Sequence, residues 1–224
     1  GAYEAGAAVL HIHLRDNDDF TADLEVAKRT VALCREKCKG IVQLSTGGGM
    51  PYEERMKIVE AKPAMATLNP ASMTMGDHEF LNPPLKMYKL AERMLELGVK
   101  PEIEIYDTGH IPLMLNLLKK GLVTEPLQVS FVMGTMGGMK ADPMLHSYCV
   151  RELPDNTSWQ VIAISKANLP LTTIGLAMGG NARVGLEDTI YVRPKVLAES
   201  NAQLVEQLVG VAKSMNLQPA TVEE

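Results

Sequence analysis

Short apolar and β-branched runs alternate with longer stretches of helical period along the whole of this 224-residue chain. The runs AAVLHIHL, GIVQLST, AMATLN, EIEIYD, LQVSFVMG, WQVIAISKA and ARVGLED read as strands, with Gly, Asn, Asp or Pro in the loops around them. The patterns between them read as helices: ADLEVAKRTVALCREKC, PYEERMKIVEA, PPLKMYKLAERMLELG, IPLMLNLLKKG, DPMLHSYCVREL and VLAESNAQLVEQLVGVAKSMN. Strands joined through helices pair in parallel, with the helices covering the sheet. No Gly/Ser-rich linker or shift of composition divides the sequence, so one α/β domain over residues 1–224 is expected. The first candidate is a TIM (β/α)8 barrel, which needs one strand more than the runs read here. The opening AYEAGAA is a helical-looking piece that, in a barrel, would end a helix whose strand this chain does not carry.

A formal net charge of −5 and the lack of any Lys/Arg-rich run argue against nucleic acid or an anionic membrane as partner, and leave a small molecule. No apolar stretch approaches the roughly 20 residues of a membrane span, and the N-terminus lacks the basic start of a signal peptide. A soluble, cytoplasmic protein is expected. Cys34, Cys38 and Cys149 are too few and too scattered for a zinc knuckle and read as reduced thiols.

The stretch VLHIHLRD places His11 and His13 on one face of a strand, with Arg15 next in that series. One bland reading makes one imidazole a core residue and leaves the other in solvent. The metal reading gains from position, because the pair precedes the polar RDNDD at the carboxyl end of its strand, where α/β barrels hold their chemistry. NARVGLED would put Arg183, Gly185 and Glu187 on one face by the same period, with Asp188 at the exit. Two neutral imidazoles and one carboxylate, with open positions left over, make a catalytic zinc or iron site. The first and last strands of a closed barrel are neighbours, so the separation in sequence is no obstacle. EIEIYDTGH places Glu102 and Glu104 on one face, costly inside a barrel unless a cation or a shared proton compensates. QLSTGGGM ends its strand on Ser45, Thr46 and three glycines, whose bare backbone can approach a carboxylate or phosphate, as many tight turns also can.

In this order and spacing, VLHIHLRD, QLSTGG, PEIEIYDTGH, VMGTMGG and GGNARVGLED resemble the β-keto acid cleavage enzymes, the family of the 3-keto-5-aminohexanoate cleavage enzyme. The resemblance runs from Glu4 to the last helix. It implies a zinc-dependent (β/α)8 barrel, a homotetramer or other homo-oligomer, that reacts a β-keto acid with acetyl-CoA to give acetoacetate and a new acyl-CoA. Position by position, it makes His11, His13 and Glu187 the zinc ligands. Asp188, held by Arg183, is the base, Ser45 and Thr67 orient the substrate carboxylate, and Glu104 binds an amino group or assists proton transfer. The family's first strand and helix have no counterpart in this chain, so a barrel lacking those two elements is expected. An acidic lining would suit an amino-bearing substrate, whereas Met133, Met136 and Met139 would suit an apolar tail.

Three other readings stay open. Metal-dependent amidohydrolases also use HxH but need further strand-end histidines, and only His110 sits at such an exit. Zinc-dependent aldol cleavage would differ in not requiring CoA. An inactive barrel kept for assembly would carry the same motifs as remnants.

Overall fold

A computed structural model describes residues 1–47 and 49–224. Seven parallel strands form the main sheet: β1 (Val9–Ile12), β2 (Ile41–Leu44), β3 (Met65–Leu68), β4 (Lys100–Ile105), β5 (Leu127–Met133), β6 (Thr157–Ala163) and β7 (Asn181–Arg183). Each pairs with its neighbours in chain order, as right-handed βαβ repetition requires. Register places His11 beside Gln43, Thr67 beside Glu102, Glu104 beside Ser130, and Ile162 beside Arg183. The sheet curls until residues at its two ends touch, His11 and Glu187 lying 3.4 Å apart. This is a TIM-barrel-like α/β fold, and all seven expected strands are present, several of them shorter than their apolar runs.

Helices α1 (Leu24–Lys37), α2 (Tyr52–Glu60), α3 (Pro84–Leu97), α4 (His110–Lys119), α5 (Pro143–Arg151), α6 (Asn168–Ala177) and α7 (Asn201–Ser214) follow the strands. Their ends are written locally. The Asp23 side chain caps α1 by accepting from Val26 N, Asp142 caps α5, and Ser200 caps α7. Gly98 stops α3 in the left-handed region at φ 69°. Helix α6 escaped the sequence reading because NLPLTTIGLA is apolar around its circumference, so it carries no helical period to detect. Helix α7 begins five residues later than its pattern, since Val196–Leu197 pair with Tyr191–Arg193 in a short ribbon.

The main apolar core lies between β3–β6 and the helices outside them, with Leu90, Met94, Ile103, Met114 and Phe131 fully or almost fully buried. A smaller cluster around Val31, Val42, Leu44 and Ile58 serves β1 and β2. Among the described residues, no strand pairs with the outer edge of β1 or of β7. Between these edges lies an open cleft of about 1440 Å³, which runs from His11, His13 and Glu187 past Gln43 and Glu102 to the chain termini. Over the mouth, the ribbon Met73–Met75/His78–Phe80 meets the loop after β5, with Gly76 N donating to Met136 O at 3.0 Å. Gly137, at φ 95°, is required there, because a Cβ would overlap the Thr74 carbonyl.

Candidate metal centre

The two histidines reach the same space by different routes. His11 lies within β1, whereas His13 falls one residue past the strand end, where the chain turns into the ribbon Arg15–Asp16/Asp19–Phe20. The ring centroids are nonetheless 5.1 Å apart, and the Phe20 ring of that ribbon lies 5.3 Å from His13. On the facing side, the expectation that Arg183, Gly185 and Glu187 share a strand face holds only for Arg183. Strand β7 ends there, and the next residues fold into a turn closed by Asp188 N donating to Gly185 O at 3.0 Å. The turn is held by Asn201 Oδ1, which accepts from Leu186 N, and by Arg183, which grips Asp188 through Nη2 at 2.6 Å and Nε at 3.1 Å. Glu187 thus arrives at the cluster from the turn and not from a strand.

His Nε2 of both histidines points at the Glu187 carboxylate, at 3.4 Å from His11 and 3.2 Å from His13. One ligand atom from each of the three residues lies within 4.8 Å of the others, and no other such cluster occurs among the described residues. Burial, followed by the positive charge of Arg183, lowers the His11 pKa to about 3, so its imidazole is neutral at pH 7. Burial pushes the Glu187 carboxyl up, but the His13 hydrogen bond and the Arg183 charge outweigh it and hold the pKa at about 2. Buried His11 Nε2 has no hydrogen-bond partner among the described residues, and a buried polar atom in that state calls for an explanation. A divalent cation fits this donor set of two imidazole nitrogens and one ionised carboxylate.

The remaining expected residues divide into two groups. Arg183 and Asp188 adjoin the cluster: Arg183 Nη2 also lies 3.3 Å from Glu187, and its buried Nη1 has no partner among the described residues. Burial raises the Asp188 pKa, and Arg183 opposes that. Glu104 is buried in the same interior. Desolvation raises its pKa to about 7 against the pull of Arg183, and Asn69 Nδ2 donates to it at 2.7 Å. Ser45 and Thr67, by contrast, are tied to neighbouring strand ends. Ser45 N donates to Ile12 O, and its Oγ accepts from Gly47 N at 3.1 Å. Thr67 is fully buried, with Oγ1 accepting from Thr46 N and its carbonyl accepting from Thr46 Oγ1, which laces β2 to β3. Gly48, in the middle of the three-glycine loop, lies outside the described residues.

Sequence reading passed over Gln43 and Asn69. Gln43 had a signal, being a polar residue inside the apolar run GIVQL, and its Oε1 lies 2.6 Å from His11 Nδ1. Three further histidines are elsewhere: His78 in an exposed ribbon, His110 with Nδ1 accepting from Tyr106 N, and His146 buried against Phe131 and Trp159. The amidohydrolase pattern of additional strand-end histidines is therefore not met among the described residues. Of the three methionines considered for an apolar tail, Met133 and Met139 are buried in the main core, and only Met136 is exposed.

Comparison with known proteins agrees with the motif reading. A family model described as beta-keto acid cleavage enzyme matches residues 1–224. The chain is 37% identical to the 3-keto-5-aminohexanoate cleavage enzyme of Acetoanaerobium sticklandii, over 100% of this chain and 84% of that protein. It is 33% identical to the 3-oxoadipate:acetyl-CoA acetyltransferase of Cupriavidus necator, over 100% of this chain and 81% of that protein. In three dimensions it superposes on the apo structure of ObcA with a TM-score of 0.84 at 16% identity, covering 99% of this chain and 61% of ObcA, a likeness of fold.

Proposed function

The chain belongs to the beta-keto acid cleavage enzyme family, and we propose that it is a zinc-dependent member that condenses a β-keto acid with acetyl-CoA, giving acetoacetate and a new acyl-CoA. The observation that carries the metal reading is the convergence of His11, His13 and Glu187 around a buried, unpartnered imidazole nitrogen. Bound there, Zn²⁺ would supply Lewis-acid polarisation of the substrate ketone and acidify the carbon between the two carbonyls.

The chain's own residues divide the remaining work. Asp188 takes the proton from that carbon, and the two hydrogen bonds from Arg183 hold the carboxylate in place. The carbon then attacks the acetyl thioester and expels the CoA thiolate. Attack of that thiolate on the former ketone carbon breaks the bond to the central carbon, releasing the new acyl-CoA, and the proton returns to give acetoacetate. Arg183 Nη1, which has no partner among the described residues, can hold a developing oxyanion. Glu104, with its pKa about 7, is suited to share proton transfer or to receive an amino group. Ser45 and Thr67 orient the substrate carboxylate, Ser45 by its hydroxyl and Thr67 from the lacing that shapes the loop. Residues 1–224 act as one barrel domain, and the active form is a homo-oligomer in the cytoplasm. No helix of the described residues is long and apolar enough to cross a membrane.

Metal content and acetoacetate production from a panel of β-keto acids test this reading. Zinc near one equivalent, lost in the His11→Ala/His13→Ala double variant, and product formed only with acetyl-CoA are the expected results. Cleavage without CoA would replace it with the aldolase reading, and a metal-loaded but inert protein with the assembly reading.

A further inference from the structure

Beneath the histidine–carboxylate cluster, a chain of hydrogen bonds crosses the interior of the sheet from β1 to β6. His11 Nδ1 meets Gln43 Oε1 at 2.6 Å, and Gln43 Nε2 donates to Glu102 Oε2 at 2.6 Å. Ser130 Oγ donates to Glu102 Oε1 at 2.6 Å and accepts from Gln160 Nε2 at 2.8 Å. Gln43, Glu102 and Ser130 are all buried. The proton transfer outlined above uses none of these groups, so the buried carboxylate has no role yet.

The chain has a direction. A carboxylate can only accept, and both Glu102 oxygens are already taken by donors. The Gln43 NH₂ must therefore face Glu102, which turns the Gln43 carbonyl toward His11. A carbonyl also only accepts, so His11 Nδ1 carries the proton and Nε2 keeps its lone pair. Nε2 is the atom that faces Glu187 without a hydrogen bond. The opposite amide orientation would set two oxygens against each other at 2.6 Å with no proton between them.

We propose that Glu102, acting through Gln43, is a positioning residue that fixes the His11 tautomer with its Nε2 lone pair turned to the metal. The proposal rests on reading His11, His13 and Glu187 as a metal centre. Metal-binding histidines commonly carry a carboxylate or carbonyl on their second nitrogen. Here an amide on β2 relays that effect from a carboxylate on β4, two strands further round the barrel.

Two readouts test it without turnover: histidine ¹⁵N shifts in the metal-free protein, tractable with five histidines, and Zn²⁺ affinity by chelator competition. In Glu102→Gln, both orientations of Gln43 become satisfiable. His11 should move toward a tautomer mixture, and affinity should fall roughly ten- to hundredfold. The swap Gln43→Glu/Glu102→Gln puts a carboxylate on Nδ1–H and an amide donor behind it, and should restore the tautomer and bring affinity back to within a few fold. A folded Glu102→Gln protein that binds Zn²⁺ as tightly as the parent, with unshifted His11 nitrogens, would overturn the proposal. Should that variant not fold, the swap decides, and a swapped protein lacking the Nδ1–H tautomer refutes it. A parent protein that binds no metal but whose His11 tautomer still shifts in Glu102→Gln would refute the metal reading and leave the relay standing.

Discussion

The β3–β6 side of the molecule and the β1/β7 side are built on opposite terms. On the first, each strand is paired on both edges and its outward face lies under helices, where Phe131, Ile103 and Leu90 are fully buried. On the second, two short strands face each other across an open cleft, with no strand among the described residues pairing with their outer edges, and Val9 is 40% exposed. The His11–His13–Glu187 cluster belongs to the second side, with His11 and His13 on one bank and Glu187 on the other. The well-packed core lies away from that cluster, and the proposed cation would sit on the seam that packing leaves open. Local stability varies in this way across many folds, with ligand sites drawn from the weaker end.

The largest expected effect breaks the comparison if it is wrong. Phe131→Ala, in the covered half, should cost about 3–5 kcal/mol in denaturant unfolding, through lost burial and an unfilled cavity. Val9→Ala, at the open edge, should stay within about 1 kcal/mol. Equal costs would mean that the seam is packed as firmly as the core. Next in size, Asp188→Asn should lower turnover roughly a hundredfold or more with zinc retained, since an amide keeps the shape but cannot take a proton. A near-normal rate would move the base to Glu104.

The covered half was also the more legible in the sequence. Its strands and helices follow from period and caps, which are local signals. Helix α6 is the exception, because an apolar circumference erases the period. In the seam, the motifs point to His11, His13, Arg183, Glu187 and Asp188 and the structure brings these residues together, but the path to Glu187 is not legible. Period-two reasoning extended β7 through Glu187, whereas the Arg183–Asp188 ion pair and the Asn201 contact bend the chain into a turn after Arg183. Those partners are tertiary and leave no periodic mark. The same holds for the Gln43–Glu102 contact, which joins residues 59 positions apart.

A third test contrasts carboxylates on the two sides. Burial raises the Glu104 pKa to about 7, above the ordinary carboxylate value, while the seam residue Glu187 is held at about 2 by His13 and Arg183 against its own burial. The folded state therefore binds a proton at Glu104 more tightly than the unfolded chain does. Its contribution is fully present below pH of about 4.5 and is lost as pH rises through about 7. Across that window the slope should approach about 1.4 kcal/mol per pH unit from this group alone. Glu104→Gln cannot ionise, so its stability profile should be flatter across that window, and the parent should lose ground to it as pH rises toward about 7. Parallel profiles would show that Glu104 is not desolvated in solution.

The smallest expected effect is the sharpest for the seam. If zinc joins β1 to the turn after β7, it binds the folded chain and not the unfolded one, and linkage at a tenfold excess over Kd gives about 1.4 kcal/mol. For a chain of this length that is a melting shift of roughly 3–6 °C on chelation. A shift of that size alone does not say where the metal acts, because any site would give it. Amide exchange does. With the clasp removed, exchange should quicken in Val9–Ile12 and Asn181–Arg183, whose outer edges pair with no strand among the described residues, and in the turn that follows through Asp188, while Ile103 and Phe131 in the covered half keep their protection. Uniform quickening over the whole sheet would mean that the two halves unfold as one unit and the seam is not a separate region. No change in β1 and β7, with zinc lost, would mean that the cation rests on one bank only and Glu187 is not its third ligand.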